Sequence, residues 1–344
     1  MRIVDSLVEQ IHPGGTPPEY LNPAAEFIRA DVRDRAAMTR ALAGIDTLIH
    51  LAGAVGVGQS QYQIEHYTGV NATGTATLLD LIVNDKLPVR KIVVAASMSS
   101  YGEGLYRCPA CGPVRPGDRD EADLRAGIWE SRCPHCRGAL TPIGMPEDGV
   151  QDARSVYALN KKWQEELVLC VGRTYGIPAV ALRFFNVFGP RQSLSNPYNG
   201  VAAIFISRLK NNQPPVVYED GNQSRDFIAV SDVARAIIAA ATTPGADGLA
   251  VNVGSGVPRG IAGIARTLAR LMGKEIAPQV TGTFRKGDTR HCFADRTRAM
   301  EKLGLRELRD FDDAMRELIA WSAGAEAVDH FAEAAALLAR HKLL

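Results

Sequence analysis

The sequence predicts a doubly wound α/β fold around a parallel sheet, and three features carry that expectation. Strand-like and helix-like segments alternate through the first half of the chain. The strand-like segments are continuous apolar runs rather than polar–apolar alternations, as expected when helices cover both faces of a parallel sheet. The 344 residues are 46% hydrophobic and 22% charged. That is a globular balance, and the chain is long enough for two modest domains or one large α/β unit.

Taken in order, strands are expected at 3–5, 25–31, 47–52, Lys91–Ser97 and Ala179–Phe184, with helices at 35–43, 67–84 and 157–175 between them. The stretch 104–146 breaks this rhythm with clustered cysteines, prolines and glycines and reads as an insertion. After Phe185 the pattern becomes mixed, with Asn-, Pro- and Gly-rich loops such as RQSLSNPYNG (191–200) between short helices. The expected division is therefore a dinucleotide-binding domain over 1–185, carrying the insertion, and a smaller substrate domain over 186–344. Segment 226–254 is expected to return to the sheet through DFIAV and AVNVG. The Ala-rich C-terminal stretch is expected to be helical.

Charge and hydropathy remove several function classes. Net charge is +1, from 39 basic and 38 acidic residues, with no basic cluster to neutralise phosphates, so no nucleic-acid partner is expected. No apolar stretch reaches the ~18 residues of a membrane span, and the N-terminus lacks a basic-then-apolar leader. No membrane partner is expected, and the expected compartment is the cytoplasm.

SVYALNK places Tyr157 and Lys161 four residues apart, one turn apart on one face of a helix. A tyrosine with a pKa of ~10 is a poor base at neutral pH, and a nearby ammonium favours its phenolate. Upstream, the strand KIVVAAS ends in Ser97, at the carboxyl end where open α/β sheets bind ligands. A serine there can hydrogen-bond a substrate hydroxyl while the tyrosine moves its proton. Singly, each residue is also compatible with an ordinary helix face or strand-end turn; together they make a specific constellation.

CPACGPVRPGDRDEADLRAGIWESRCPHC holds two Cys-x-x-Cys pairs, Cys108/Cys111 and Cys133/Cys136, separated by 21 residues. Each pair can turn two thiolates towards one ion, and four thiolates satisfy tetrahedral zinc with no open position. The expected role is a structural zinc ribbon, with free thiols or disulfides the alternative. His135, inside one knuckle, is expected to be a bystander. Cys170 and Cys292 are isolated.

The motifs ADVRD (30–34), HLAG (50–53), VNATGT (70–75), SMSSYG (97–102), YALNK (157–161), LRFFNVFGPRQ (182–192), RDFIAVSDVA (225–234), NVGSG (252–256) and KGDTRHCFAD (286–295) span nearly the whole chain. With them the sequence resembles the extended short-chain dehydrogenase/reductases, Rossmann-like enzymes, and in particular their NAD-dependent nucleotide-sugar epimerases and dehydratases. The resemblance implies that Ser97, Tyr157 and Lys161 are catalytic. It implies substrate contacts from Ser99, Asn186, Arg191 and Asn199, with Arg225 and Arg290 on the diphosphate, a role that suits the guanidinium fork. It also implies NAD, a nucleotide-diphosphate sugar as partner, and a homodimer built through helix packing.

Where the family's dehydratases carry Asp-Glu after the catalytic Ser/Thr, this chain has Met98 and Ser99, which favours epimerisation over dehydration. The insertion and the loop RQSLSNPYNGVAAIF look like those of dTDP-L-rhamnose 4-epimerases, which form dTDP-6-deoxy-L-talose. One departure is Ala229, where the family usually has His in RDFxHV. A UDP-hexose 4-epimerase or another nucleotide-sugar epimerase or reductase is the nearest alternative. A non-catalytic sugar-nucleotide-binding protein and a zinc-dependent interaction module are readings of other classes.

A dinucleotide fold needs a Gly-rich turn after its first strand and, about 20 residues on, an acid for the adenosine ribose. Asp5 fits the acid, with Ser6 beside it and Asp31 and Val32 bordering the adenine. The Gly-rich turn is not in the chain; GAVGVG (53–58) has the wrong spacing. By resemblance, Leu51, Ala52, Gly53 and Asn71 lie beside the cofactor. The chain is thus expected to open on the family's second strand, lacking the first strand-turn-helix of roughly 30 residues, with a start codon set too late as the expected cause.

Overall fold

The computed structural model describes residues 1–198, 200–285 and 287–343. The chain forms two compact units. The first comprises Met1–Ser97, Ser155–Leu182 and Ile237–Val251, and the second Met98–Arg154, Arg183–Ala236 and Asn252–Leu344.

The first unit is built on parallel strands. A four-stranded sheet has the order Ala250–Val253, Ala179–Phe184, Lys91–Ser97, Thr47–His50, with Thr47–His50 parallel to Lys91–Ser97. Arg2–Asp5 and Glu26–Arg29 form a separate parallel pair. Lys91–Ser97 is buried at every position after Lys91, as its unbroken apolar run requires. Thr47–His50 is an edge strand: Ile49 is 41% exposed and, just beyond, Leu51 is 50% exposed. The core joins Val32, Met38, Leu78, Leu81, Ile92, Val94 and Val168.

Local chemistry sets the helix ends. Asp34 caps Arg35–Leu42 by accepting from the Ala37 amide. Ser155 caps Val156–Tyr175 through Ala158 N, and Gly176, at φ 68°, ends it in the left-handed conformation. The helix expected at 67–84 is divided: Ile64–Tyr67 and Gly74–Asn84 are α-helical, and Thr68–Thr73 between them is a π turn. Such widened turns recur at functional sites. Gly74 allows close packing here, since a Cβ would stand 2.4 Å from Val32 Cγ1.

In the second unit, the insertion folds as a three-stranded antiparallel sheet in the order Gly112–Val114, Leu105–Cys108, Thr141–Ile143, with the helix Glu121–Arg125. Tyr106, Cys108, Val114 and Cys133 form its small core. A second sheet orders Pro258–Gly260, Ser224–Ala229 and His291–Cys292, with Asn186–Phe188 also pairing with Ser224–Ala229. Segment 226–230, expected in the large parallel sheet, therefore belongs here; of the two returning segments, Ala250–Val253 joins the parallel strands. The reason is Asp226, fully buried, whose carboxylate accepts from Ser255 N, Gly256 N and Ala294 N and so fixes Ser224–Ala229 in the second unit. The helices Val201–Lys210, Ile261–Leu271 and Phe311–Ser322 supply that unit's main core, and Phe331–Arg340 is the C-terminal helix.

Candidate functional site

Ser97 ends a buried strand, and Tyr157 and Lys161 lie in the first two turns of the helix capped by Ser155. The first unit thus brings the three expected catalytic residues into one framework. The Ser97 side chain is hydrogen-bonded to Tyr157. Burial raises the Tyr157 phenol above its usual pKa, and the bond to Ser97 pulls it partly back. Lys161 is buried; its Nζ donates to Ala95 O and to Gln164 Oε1, both at 2.9 Å. Desolvation lowers its pKa to about 8.

Behind Lys161 stands a polar network that sequence reasoning missed. Gln164, fully buried, lies 2.8 Å from Thr75 Oγ1 and 2.9 Å from His50 Nε2 through its Nε2. Burial, with the Lys161 charge adding to it, drops the His50 pKa to about 3, so that imidazole is neutral at physiological pH. Only HLAG, which contains His50, gave a hint of this; Gln164 is one helix residue among many in the sequence.

The residues expected around the cofactor fall into two groups. Gly53 sits in a cradle: a Cβ there would meet Asn71 Oδ1 at 3.0 Å and Lys161 Nζ at 3.2 Å. Asn71, buried in the π turn, grips the Ala54 backbone through both ends of its amide. Leu51 and Ala52, which precede Gly53, are exposed. Asp5 ends its strand and accepts from Leu7 N, while Ser6 is half-buried. Asp31 is taken up by Arg33, and Val32 is buried in the core. The residues at the Gly53 end fit a nicotinamide cofactor.

The substrate candidates lie in the second unit. Ser99 is half-buried in the short helix Met98–Tyr101, and Arg191 is exposed at φ 71°. Asn199 lies outside the described residues. Asn186 Oδ1 is buried with no hydrogen-bond partner among the described residues. Arg225 donates to Asp288 and to the carbonyls of Ser224 and Arg290. Burial opposes the ionisation of Asp288, but Arg285 and Arg225 hold its carboxyl below the usual range.

Arg290 has 0% side-chain exposure and carries three carboxylates. Nη1 donates to Glu219 at 2.8 Å and Asp220 at 2.7 Å, Nη2 to Asp220 at 3.0 Å and Glu130 at 2.5 Å, and Nε to Glu130 at 2.9 Å. None of these acids stood out in the sequence, because they come from positions far apart in the chain.

The Sγ atoms of Cys108, Cys111, Cys133 and Cys136 lie within 4.8 Å of one another, with Cys108 and Cys136 at 3.5 Å. A tetrahedral site with Zn–S near 2.3 Å needs S···S distances of about 3.8 Å, so the sulfurs fit such an ion. Hydrogen bonding from the Cys136 backbone amide lowers the Cys133 pKa to about 6, whereas hydrogen bonding among the thiols raises those of Cys111 and Cys136.

The fold and the serine–tyrosine–lysine set define a class. The NAD dependent epimerase/dehydratase family matches residues 5–118 and 138–254, and the chain belongs to that family. Among its relatives, it is 34% identical over 325 residues to a dTDP-L-rhamnose 4-epimerase of Burkholderia thailandensis, across 93% of this chain and 87% of the relative. A putative UDP-glucose 4-epimerase of Methanocaldococcus jannaschii is 28% identical, across 88% and 85%. MoeE5, solved in complex with UDP-glucose and NAD, superposes with a TM-score of 0.70 at 26% identity, covering 87% of this chain and 86% of that one.

Proposed function

We propose that the protein is a nucleotide-sugar 4-epimerase that interconverts dTDP-L-rhamnose and dTDP-6-deoxy-L-talose. The observation that carries the reading is the Ser97–Tyr157 hydrogen bond, with a buried, hydrogen-bonded Lys161 one turn further along the same helix. The relative from Burkholderia supports the choice of sugar and base. Bound NAD supplies the acceptor and donor for the hydrogen at sugar C4. Tyr157 takes the proton of the C4 hydroxyl and returns it after the 4-keto sugar has turned over. Ser97 holds that hydroxyl in line with the phenol oxygen. The Lys161 ammonium lowers the cost of the phenolate. Asn186 offers its unpartnered Oδ1 to a sugar hydroxyl, and Arg225 and Arg290 hold the diphosphate. Met98 and Ser99 supply no carboxyl pair for removing water, so the reaction stops at epimerisation. Tyr157→Phe should reduce turnover by at least ~100-fold, the scale of acid–base catalysis; full activity in that variant overturns the mechanism.

A UDP-sugar substrate is the second reading, favoured by the UDP-glucose epimerase relative and by Ala229 in place of the family's histidine. Comparing turnover on dTDP- and UDP-sugars decides between them. The four thiolates are proposed to hold a structural zinc. A homodimer is proposed through Val156–Tyr175, where Leu159 is 55% and Trp163 40% exposed, one turn apart. Leu159→Glu should move the protein from dimer to monomer in sedimentation; a wild-type monomer contradicts the assignment.

A further inference from the structure

The five N–H groups of Arg290 are all engaged by Glu130, Glu219 and Asp220. A guanidinium in that state has no donor left for a phosphate. Binding one requires a carboxylate to leave, and the three acids differ in how firmly they are held.

Glu219 is 3% exposed and is bound on its other oxygen by Arg119 at 2.7 Å. Asp220 also accepts from the backbone and side-chain nitrogens of Asn222. Glu130 is 58% exposed. It projects from the insertion, three residues ahead of Cys133, and it is hydrogen-bonded to Arg290 and, through Oε2 at 3.1 Å, to His291 Nε2. Its Oε1 takes both Nε and one Nη2 proton, the side-on edge of the fork that phosphates use.

We propose that Glu130 is an internal anion latch: it occupies the edge of Arg290 that a nucleotide diphosphate takes, and the diphosphate binds by displacing it. The inference rests on the reading of Arg290 as a diphosphate ligand. Exchange replaces one anion by another, so the buried guanidinium is never left uncompensated. It also frees His291 Nε2 as a second polar contact, while Nδ1 stays paired with Ser224 Oγ at 2.8 Å. The insertion thereby sets the threshold for substrate entry, and the cysteine knuckle anchors the loop that carries the latch.

The test is titration calorimetry of the full chain with dTDP and, separately, inorganic pyrophosphate. Glu130→Gln keeps size and an acceptor at an exposed position but removes the charge. It should bind both probes about five- to tenfold more tightly, the effect of deleting one partly exposed ion pair. Arg290→Lys keeps the buried cation opposite Glu219 and Asp220 but loses the fork. It should weaken binding, and Glu130→Gln should add nothing in that background. Unchanged or weaker dTDP binding in Glu130→Gln, with Arg290→Lys still weakening it, overturns the latch. So does tightening for dTDP without tightening for pyrophosphate. Unchanged dTDP binding in Arg290→Lys overturns instead the reading of Arg290 on which the latch depends.

Discussion

Lys161 Nζ lies 2.9 Å from Gln164 Oε1, one helical turn away and wholly inside the protein. A buried ammonium needs partners, and this one has a side-chain amide and the Ala95 carbonyl. Gln164 in turn contacts His50 and Thr75. Among the described residues, the Lys161 charge is thus held in place by neutral dipoles, the Ala95 carbonyl and the Gln164 amide.

Removing the amide should therefore damage catalysis more than binding. Gln164→Leu leaves Lys161 with Ala95 O and should lower kcat about tenfold, the effect of one lost hydrogen bond to a charged group. The dissociation constant for dTDP should change less than twofold. Steady-state kinetics beside calorimetry checks this; equal losses in both would assign Gln164 a structural role.

The pH profile follows from the same environment. Burial lowers the Lys161 pKa to about 8, so the group is charged below that pH and neutral above it. If the charge supports the Tyr157 phenolate, kcat should fall as pH rises through about 8. Gln164→Leu removes an acceptor that favours the charged form, so the falling limb should move to lower pH. Kinetics from pH 6 to 10 reads both effects, and a limb unmoved by the substitution contradicts the link.

Metal content offers an independent check. Four converging thiolates predict about one zinc per chain by elemental analysis. Cys136→Ser should lose the metal and lower the thermal midpoint, because the insertion's small core depends on Cys108 and Cys133 being held together. Retention of zinc in that variant would place the ion elsewhere.

Much of this could be read from residues alone, where a local signal was strong. Lys91–Ser97 and Ala179–Phe184 appeared as continuous apolar runs, and Ser155 and Gly176 bracket the tyrosine–lysine helix with ordinary capping chemistry. Cysteine spacing marked the cluster of four sulfurs. Three things were less legible. The strand expected at 47–52 ends at His50, because Leu51 and Ala52 lie exposed beyond the sheet. The π turn over Thr68–Thr73 has no period distinguishable from a helix until Asn71 is seen gripping Ala54. The acids around Arg290 come from positions 130, 219 and 220, and only tertiary structure brings them to position 290.

The measurement that bears most directly on the proposed chemistry is the fate of the hydrogen at C4. The protein is incubated with dTDP-L-rhamnose deuterated at C4, and the product is examined by NMR in ordinary water. Oxidation at C4 followed by return of the same hydrogen predicts dTDP-6-deoxy-L-talose with deuterium retained at C4, and no product from Tyr157→Phe. Loss of the label to solvent, or full conversion by Tyr157→Phe, would contradict an epimerase built on Ser97, Tyr157 and Lys161.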